Sequence, residues 1–550
     1  MRFRTVLRQR ERMKTPMDLP SSTSTRSPQK ANEITAFGPH APAVPADTAD
    51  LEHSWTATPV LDTTDEIFVA GRWVRGSGTV IESIDPATGR IFAHLHGAVA
   101  HDVDLAVDGG LRAVASSGWA ELLPHERAAV LYRIGTAIEA NTDRIAALQT
   151  ADTGKTLAET GALARSAAGT FRFMASALET MEETITPRRG PYLTFATHEP
   201  MGVVGAITPW NSPIASDAQK IAPALAAGNA VVAKPPVWAP WVTLLLARLA
   251  EEAGLPPGLL SVLPGPGRTV GDALARHPGI GKISFTGGTR TGRGLAHVAA
   301  EKLMPITLEL GGKSPTIVFA DADLDQALAG VLFGIFSSSG QSCIAGSRVF
   351  VQRAVYSEFV DRLVAATTAL RVGPGTDPRT QVAPMVTRAH RDGVAAMVDD
   401  AVREGATVLC GGAVPTDPAL ADGAYYLPTV LTGVPNSATV CQEEIFGPVA
   451  VVLPFEDEAD VVAQADDTVF GLACGIWTSD YRRAWRTARA VQAGTVWINT
   501  YKQFSISTPF SGLKDSGIGT EKGRDGIRSY MNQKSIYLDV SGQPLPWAGR

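Results

Sequence analysis

Residues 203–211 read VVGAITPWN, and this stretch decides how the first half of the chain is expected to fold. Its first five residues form a short apolar run typical of a buried strand, and a turn and a helical pattern follow. Further apolar runs stand at 230–233, 260–263 and 282–285, and a helix is predicted over 242–253. Because strands alternate with helices, the pattern predicts a parallel sheet.

The second half of the chain repeats this alternation, so the sequence predicts an α/β fold with two doubly wound parallel-sheet domains. A chain of 550 residues also exceeds what one hydrophobic core usually accommodates. Before the first sheet, a hairpin at 67–74 and helices over about 100–180 are expected, and 192–197 is predicted as an isolated strand. The strand candidates of the second half are 316–319, 348–351, 407–409, 449–453 and 475–478.

The composition is typical of a soluble globular enzyme, with 45% apolar and 19% charged residues. A net charge of −6 argues against a broad nucleic-acid-binding surface, and no apolar run is long enough to span a bilayer. Residues 1–60 lack periodicity and are predicted to be a disordered tail, although the basic, Ser-rich start also fits an organelle transit peptide. Four widely spaced cysteines predict a reducing, cytoplasmic setting without disulfides or a metal site.

A cysteine with small neighbours, in the sequence GQSC at 340–343, is a candidate nucleophile. It follows an apolar helical stretch and precedes a predicted strand. Small flanking residues let the backbone approach a ligand, and a thiolate is a strong nucleophile once its pKa falls. The alternative is a buried, inert core cysteine.

An acidic residue, Glu309, stands in the apolar run TLELGGK at 307–313. Partial desolvation there raises the pKa of a carboxyl group toward the range useful to a general base. The alternative is a surface glutamate at a strand edge.

Two polar turns follow predicted strands of the first sheet. Asn211 stands at a strand's carboxyl end, where its amide could donate to a developing oxyanion; the alternative is an asparagine turn. Residues 285–289, FTGGT, predict a strand, a glycine turn and a helix, an arrangement that can place a pyrophosphate at a helix N-terminus. This segment does not match the G-x-G-x-x-G fingerprint.

Together and in this order, these segments resemble the aldehyde dehydrogenase superfamily over about residues 65–540. The matching segments are EPMGVVG (199–205), PWN (209–211), KP (234–235), FTG (285–287), LELGGK (308–313), GQSC (340–343), EEIFGP (443–448) and PFSG (509–512), with Lys514 and SG (516–517).

The resemblance implies that Cys343 attacks an aldehyde carbon and that the Asn211 amide and the Cys343 N–H stabilise the oxyanion. Hydride then passes to a nicotinamide, and water activated by Glu309 hydrolyses the thioester to the free acid. Lys220 matches a lysine near that glutamate. Glu309 argues against the rival acylating, coenzyme-A-dependent reaction, and the intact set argues against a second rival, a binding protein without activity.

The resemblance also implies a dinucleotide site for NAD or NADP, with NAD favoured on family frequency. Val237 stands where NAD-preferring members often carry a glutamate, so no carboxylate repels a 2′-phosphate there. Gly288 stands where members of the family usually carry a serine. The residues implied to bind the cofactor are Ile207, Thr208, Pro209, Trp210, Lys234, Phe285, Thr286, Gly287, Gly288, Leu310, Gly311, Glu444 and Phe446.

The substrate pocket implied by the resemblance is more polar than a fatty-aldehyde tunnel. Lys502 lies near one wall, so we expect a short polar or anionic aldehyde; the alternative is that Lys502 is a solvated surface lysine. The implied pocket residues are Ser212, Ser216, Gln219, Ser342, Ile344, Phe504 and Phe510.

The implied domain organisation has three parts. Residues 61–182 and 202–311 form a dinucleotide-binding domain, and residues 312–526 form a catalytic domain. Residues 183–201 and 527–550 form a small β element through which subunits associate. A homodimer or homotetramer is expected by analogy.

Overall fold

The computed structural model describes residues 64–544 and residue 547, so the tail predicted at 1–60 lies outside the described residues. The strands are β1 (Ile67–Val69), β2 (Arg72–Val74), β3 (Val80–Ile84), β4 (Ile91–His96), β5 (Thr184–Ile185), β6 (Tyr192–Pro200), β7 (Val203–Ile207), β8 (Ala230–Lys234), β9 (Leu260–Val262), β10 (Ile280–Thr286), β11 (Ile306–Glu309), β12 (Pro315–Val318), β13 (Arg348–Gln352), β14 (Thr407–Cys410), β15 (Thr429–Thr432), β16 (Val449–Phe455), β17 (Phe470–Gly471), β18 (Ala473–Trp477), β19 (Thr495–Ile498), β20 (Leu513–Lys514), β21 (Gly517–Ile518) and β22 (Met531–Asp539).

The α-helices fill the intervals between these strands. They are α1 (Ala100–Ser116), α2 (Pro124–Ala140), α3 (Thr142–Thr153), α4 (Leu157–Glu179), α5 (Pro213–Ala226), α6 (Trp241–Glu252), α7 (Asp272–Arg276), α8 (Thr289–Lys302), α9 (Leu324–Phe336), α10 (Tyr356–Thr368), α11 (Arg388–Arg403), α12 (Thr439–Gln442), α13 (Glu458–Asp466), α14 (Tyr481–Ala490) and α15 (Asp525–Arg528).

The first sheet has the strand order β2-β1-β9-β8-β7-β10-β11-β21. Its central strands, from β9 to β11, run parallel, while β1, β2 and β21 are antiparallel additions at the edges. Every residue of β7 and β8 is buried, as expected for parallel strands covered on both faces. The parallel sheet predicted from the apolar runs after residue 203 is therefore confirmed.

The second sheet has the order β14-β15-β16-β13-β12-β18-β19, parallel except for β14. Alternate residues of its strands point to opposite faces, and each face has its own core. Ile317 and Phe350 belong to one apolar cluster, and Val318 and Val349 belong to the other. The predicted α/β class with two sheet domains is confirmed, while the exact domain boundaries stay a prediction.

A third, small antiparallel sheet corrects one expectation. The strand predicted as isolated at 192–197 is β6, which pairs with β22 from Tyr192–Asp539 to Pro200–Met531 and also with β5. Its main partner, β22, lies far along the chain, so the local sequence around β6 does not indicate the pairing.

The described residues contain no helix that is both long and apolar enough to cross a membrane, and no group of three or more side chains suited to a metal ion. All four cysteines lie in this part of the chain and have free thiols.

Candidate active site

The carboxyl ends of four neighbouring parallel strands meet at one edge of the first sheet. Ile207 is paired with Lys234 across β7 and β8, and Thr286 is paired with Glu309 across β10 and β11. A cavity of about 950 Å³ opens at this edge. Open α/β sheets bind ligands at such edges, because the turns that follow the strands converge there.

The cavity brings together every residue that the sequence predicted to bind a cofactor, and it also includes Asn211 and Cys343. Val237, which stands where NAD-preferring members often carry a glutamate, also lies on the wall. The predicted residues on the wall are Ile207, Thr208, Pro209, Trp210, Lys234, Phe285, Thr286, Gly287, Gly288, Leu310, Gly311, Glu444 and Phe446.

The α8 end of the cavity fits a phosphate group. Gly288 precedes the first turn of α8, and a side chain there would meet open space, so a ligand can approach the free backbone N–H groups. Lys234 lies on the same cavity, and its Nζ donates to the Pro235 carbonyl at 2.8 Å, its one hydrogen bond within the described residues. Burial lowers the pKa of Lys234 to about 8, so an anion in the cavity would stabilise its charged form.

Aromatic rings line the other end of the cavity. The Trp210 ring lies 5.3 Å from the Phe446 ring, 5.4 Å from His390 and 5.8 Å from Trp238, all edge-on. His390 Nε2 lies 2.9 Å from the Phe446 carbonyl oxygen, a contact that orients the His390 ring. Sequence reasoning missed His390 and Trp238, because neither belongs to a recognisable motif.

Glu444 lies on the wall of the cavity. One carboxylate oxygen accepts a hydrogen bond from the Gly312 N–H at 3.0 Å. Burial nevertheless raises the pKa of Glu444 to about 7, so a hydrogen-bond donor from a ligand would favour the carboxylate.

Cys343 follows a tight turn, Ser337–Gly340, and is half-buried. Burial raises the pKa of its thiol to about 12, and the Glu444 and Glu309 carboxylates add to the rise. The thiol is therefore neutral at neutral pH, and attack requires that a proton leave it.

The backbone of this turn depends on Gly340. Its φ is +70°, and a Cβ atom would lie 1.9 Å from the Gly447 carbonyl oxygen. We expect Gly340→Ala to lower the free energy of unfolding by about 3 kcal/mol or more, because strain and a backbone clash add together. Urea unfolding measures this. Gly393→Ala is the control, since Gly393 is helical and has open space at its Cβ; equal midpoints for the two variants would contradict the prediction.

The Asn211 side chain lies against the loop that carries Cys343. Its Nδ2 donates to the Gln341 carbonyl at 3.0 Å. This bond uses one of the two N–H groups of the amide, so the other is free to serve a ligand bound at the thiol.

Glu309 is buried, with 4% of its surface exposed. Within the described residues, neither carboxylate oxygen has a hydrogen-bond partner. Burial, followed by repulsion from Glu521, raises the pKa of Glu309 well above its usual value, while Lys220 and Lys522 partly oppose the rise. Glu309 is therefore no surface residue, and its surroundings favour the neutral form of its carboxyl group.

Lys220 lies in a buried polar network behind Glu309. Its Nζ contacts the Glu521 carboxylate and donates to Ser284 Oγ at 3.2 Å. Ser284 Oγ lies 3.1 Å from Tyr530 Oη, which closes the network. Glu521 was missed by sequence reasoning, since it stands far along the chain from both Lys220 and Glu309.

An aromatic wall adjoins Cys343 outside the large cavity. Cys343 and Phe510 pack on the same small apolar cluster, which contains Ile344 and Trp497. The Phe504 ring lies 5.6 Å from both the Phe510 and the Trp497 rings. The structure thus brings Ile344, Phe504 and Phe510 near Cys343 as predicted, with Ser342 next to it in the chain.

Other predicted pocket residues are placed less directly. Ser212 precedes α5, and Ser216 and Gln219 lie on that helix. Within the described residues, no hydrogen bond or ring contact joins these three side chains to Cys343, so their role stays a prediction.

Lys502 is half-buried, and its Nζ donates to Ser337 Oγ at 2.9 Å. Burial, then repulsion from Lys155, lowers the pKa of Lys502 to about 7. The alternative of a solvated surface lysine is wrong, because the side chain reaches the turn that precedes Cys343.

Comparison with known proteins identifies the class of enzyme to which this site belongs. The model of the aldehyde dehydrogenase family matches residues 73–536. The chain is 39% identical to a putative aldehyde dehydrogenase from Burkholderia cenocepacia, with a TM-score of 0.86 over 88% of this chain and 98% of that one. It is 34% identical to betaine aldehyde dehydrogenase from Staphylococcus aureus, solved with NAD+, with a TM-score of 0.88 over 90% and 99% of the two chains. For the NAD+ complex of aldehyde dehydrogenase from Bacillus cereus the identity is 37% and the TM-score 0.85, over 88% and 98%.

The chain belongs to the aldehyde dehydrogenase family. It is therefore an enzyme, and the reaction class is the oxidation of an aldehyde.

Proposed function

We propose that the enzyme oxidises an aldehyde to the free carboxylic acid with NAD, through a thiohemiacetal and then a thioester on Cys343. One observation carries the proposal: Cys343 and Asn211 lie on the wall of a cavity that fits a dinucleotide, and the buried Glu309, whose oxygens have no hydrogen-bond partner among the described residues, ends β11 at the same edge of the sheet. NAD is supported by the complexes of the relatives from Staphylococcus aureus and Bacillus cereus.

In the first step, the Cys343 thiol releases its proton to solvent, and its sulfur forms a bond to the aldehyde carbon. The carbonyl oxygen becomes an oxyanion, which accepts hydrogen bonds from the free N–H of the Asn211 amide and from the Cys343 backbone N–H. The nicotinamide, when bound, supplies the acceptor for the hydride that leaves this carbon. Glu444 and Phe446 are the residues proposed to hold the nicotinamide end, and Lys234 and Gly288 the opposite end.

In the second step, water attacks the thioester carbon, Glu309 takes a proton from that water, and the Cys343 sulfur leaves as the thiolate. A carboxyl group with a raised pKa is well suited to this exchange once it has lost its own proton, because its basicity then exceeds that of an exposed glutamate. Behind it, Lys220 favours the Glu309 carboxylate, whereas Glu521 opposes it. Release of a free acid, rather than transfer to coenzyme A, follows from this base.

The cofactor choice depends on the charges around Val237. Lys234 and Arg268 line the same cavity, whereas Val237 brings no carboxylate to it. We propose that NADP is accepted alongside NAD.

Val237→Glu is expected to lower kcat/KM for NADP by more than about tenfold, because the new carboxylate repels a 2′-phosphate. The value for NAD should change less than about threefold. Initial rates with each cofactor measure the effect, and Val237→Gln isolates charge from size. Equal losses for both cofactors, or the same result with Val237→Gln, would show that charge at this position does not decide the choice.

The overall proposal is tested by following nicotinamide reduction with a panel of simple aldehydes and identifying the product. We expect one carboxylic acid per reduced cofactor, without added coenzyme A. A requirement for coenzyme A would show that the reaction is acyl transfer and not hydrolysis. If none of the aldehydes supported reduction of the cofactor, a binding protein would be favoured.

We further propose a homodimer or homotetramer that associates through β22 and β6 and resides in the cytoplasm. β22 is an edge strand with exposed Ile536, Tyr537 and Leu538 side chains, and such an edge is a ready site for pairing with another subunit. The free thiols support a reducing compartment. Sedimentation of the purified enzyme measures the assembly state.

A further inference from the structure

Two lysine side chains lie close to Cys343 on a side that the large cavity does not reach. The positive charges of Lys502 and Lys522 both favour the thiolate of Cys343, against the effect of Glu444 and Glu309. Neither lysine lines the large cavity, whereas Cys343 does. The thiol therefore stands between the dinucleotide cavity and a separate, positively charged region.

Lys522 is a cation without a counter-charge of its own. Its side chain is 8% exposed, and its Nζ lies 4.0 Å from the centre of the Phe504 ring and 5.1 Å from that of Phe510. Within the described residues, no hydrogen bond or ion pair reaches this Nζ; the rings are its only close partners there. A buried ammonium group in such surroundings gains from an anionic acceptor.

The acidic groups nearby favour the charged form of Lys522, but among the described residues none of them hydrogen-bonds to it. Glu521, the next residue, is already engaged by Lys220 and by Ser284 Oγ, which donates at 3.1 Å. Burial raises the pKa of Glu309 and lowers the pKa of Lys522, so it disfavours the charged form of both groups. An anionic ligand beside the Lys522 ammonium group would therefore favour its charged form.

Lys502 brings a second amino group to this region, and an anion there would favour its charged form, because burial lowers its pKa to about 7. Its only recorded hydrogen bond within the described residues goes to the neutral Ser337 hydroxyl, and Lys155 is a further cation nearby. Glu159 is the acidic residue that favours the charged form of Lys502, and its carboxylate accepts a hydrogen bond from the Ser338 N–H at 2.6 Å. The two lysines therefore create a local excess of positive charge beside the thiol.

We propose that this region binds the carboxylate of an aldehyde acid, with Lys522 as the main partner of the carboxylate, Lys502 as a second one, and Phe504 and Phe510 as the apolar walls for the connecting methylene groups. The proposal rests on the proposed oxidation of aldehydes at Cys343 and specifies its substrate class as ω-oxo carboxylic acids. Lys522 is thereby a specificity-determining residue.

The test compares oxo acids of four to six carbons with their methyl esters, which keep the same oxo-acyl chain and lack the charge. We expect kcat/KM for the best acid to exceed that of its ester by about 10- to 100-fold, the range for a charge-assisted hydrogen bond. Lys522→Met should remove this preference by lowering the value for the acid alone, and Lys522→Arg should keep most of it. Lys302→Met is the matched control, because Lys302 lies at the opposite end of α8 from the cavity and binds backbone carbonyls.

The outcomes separate this proposal from the proposed function. If esters and unsubstituted aldehydes are oxidised as well as the acids, the enzyme oxidises aldehydes but the carboxylate site is overturned. If Lys522→Met slows acid and ester equally and shifts the pH–rate profile upward, the lysine serves the thiol and not the substrate, which also overturns the site. If no aldehyde of either kind is oxidised by the wild type, the proposed function itself fails.

Discussion

Replacing Cys343 by alanine is expected to lower the rate of aldehyde oxidation by about 10⁴-fold or more, the size of loss typical when a covalent nucleophile is removed. No other thiol can take its place: Cys441 and Cys474 are buried in the core of the second sheet. The rate of nicotinamide reduction with the best aldehyde measures the loss.

Cys410→Ala is the matched control for this substitution, because Cys410 is a half-buried thiol on β14, a strand of the second sheet. It should keep full activity, and cofactor binding to Cys343→Ala, followed by protein fluorescence, should persist. Substantial aldehyde oxidation by Cys343→Ala would exclude a covalent intermediate on this residue.

Glu309→Gln is expected to divide the reaction into a fast and a slow half. Oxidation to the thioester should still release about one equivalent of reduced cofactor per site, after which turnover should be slower by about 10²- to 10⁴-fold, the range for loss of a general base. Rapid-mixing kinetics measure the burst and the steady state. Hydroxylamine, which attacks thioesters directly, should restore turnover in the variant.

The pH dependence of the slow half gives an independent check. Because burial raises the pKa of Glu309, its carboxyl group is protonated at low pH and cannot accept a proton from water; hydrolysis should therefore accelerate as pH rises through that raised pKa. The dependence should vanish in Glu309→Gln. A variant with no burst, and with both halves slowed equally, would place Glu309 in the first step instead.

The part of the site that could be predicted from the sequence is the part encoded in short segments. Asn211 and Cys343 each stand in a local pattern, and the structure brings both to one cavity. Lys522 and His390 could not be found in this way. Each contributes through packing against rings that are distant along the chain, and no spacing rule describes such contacts.

The fold shows the same division. β7 was predicted to the residue, because a continuous apolar run bounded by a turn is a strong local signal. β15 and β19 were missed, although β14, a strand of the same length, was predicted. The pairing of β6 with β22 joins two segments that are far apart in the chain, so only the family resemblance, and no local pattern, grouped them.

The pairing of β11 with β21 ties the strand that ends at Glu309 to the last part of the chain. Leu308 and Glu309 pair with Ile518 and Gly517, and the neighbouring Ser516 hydroxyl donates to the Gly311 carbonyl across 205 residues of sequence. During synthesis on the ribosome, β11 therefore remains an edge strand that lacks its β21 partner until nearly all of the chain has emerged. Nascent chains interrupted before Ser516 should be the species that most need chaperones, and premature stop codons there should yield aggregates and not a partially active enzyme.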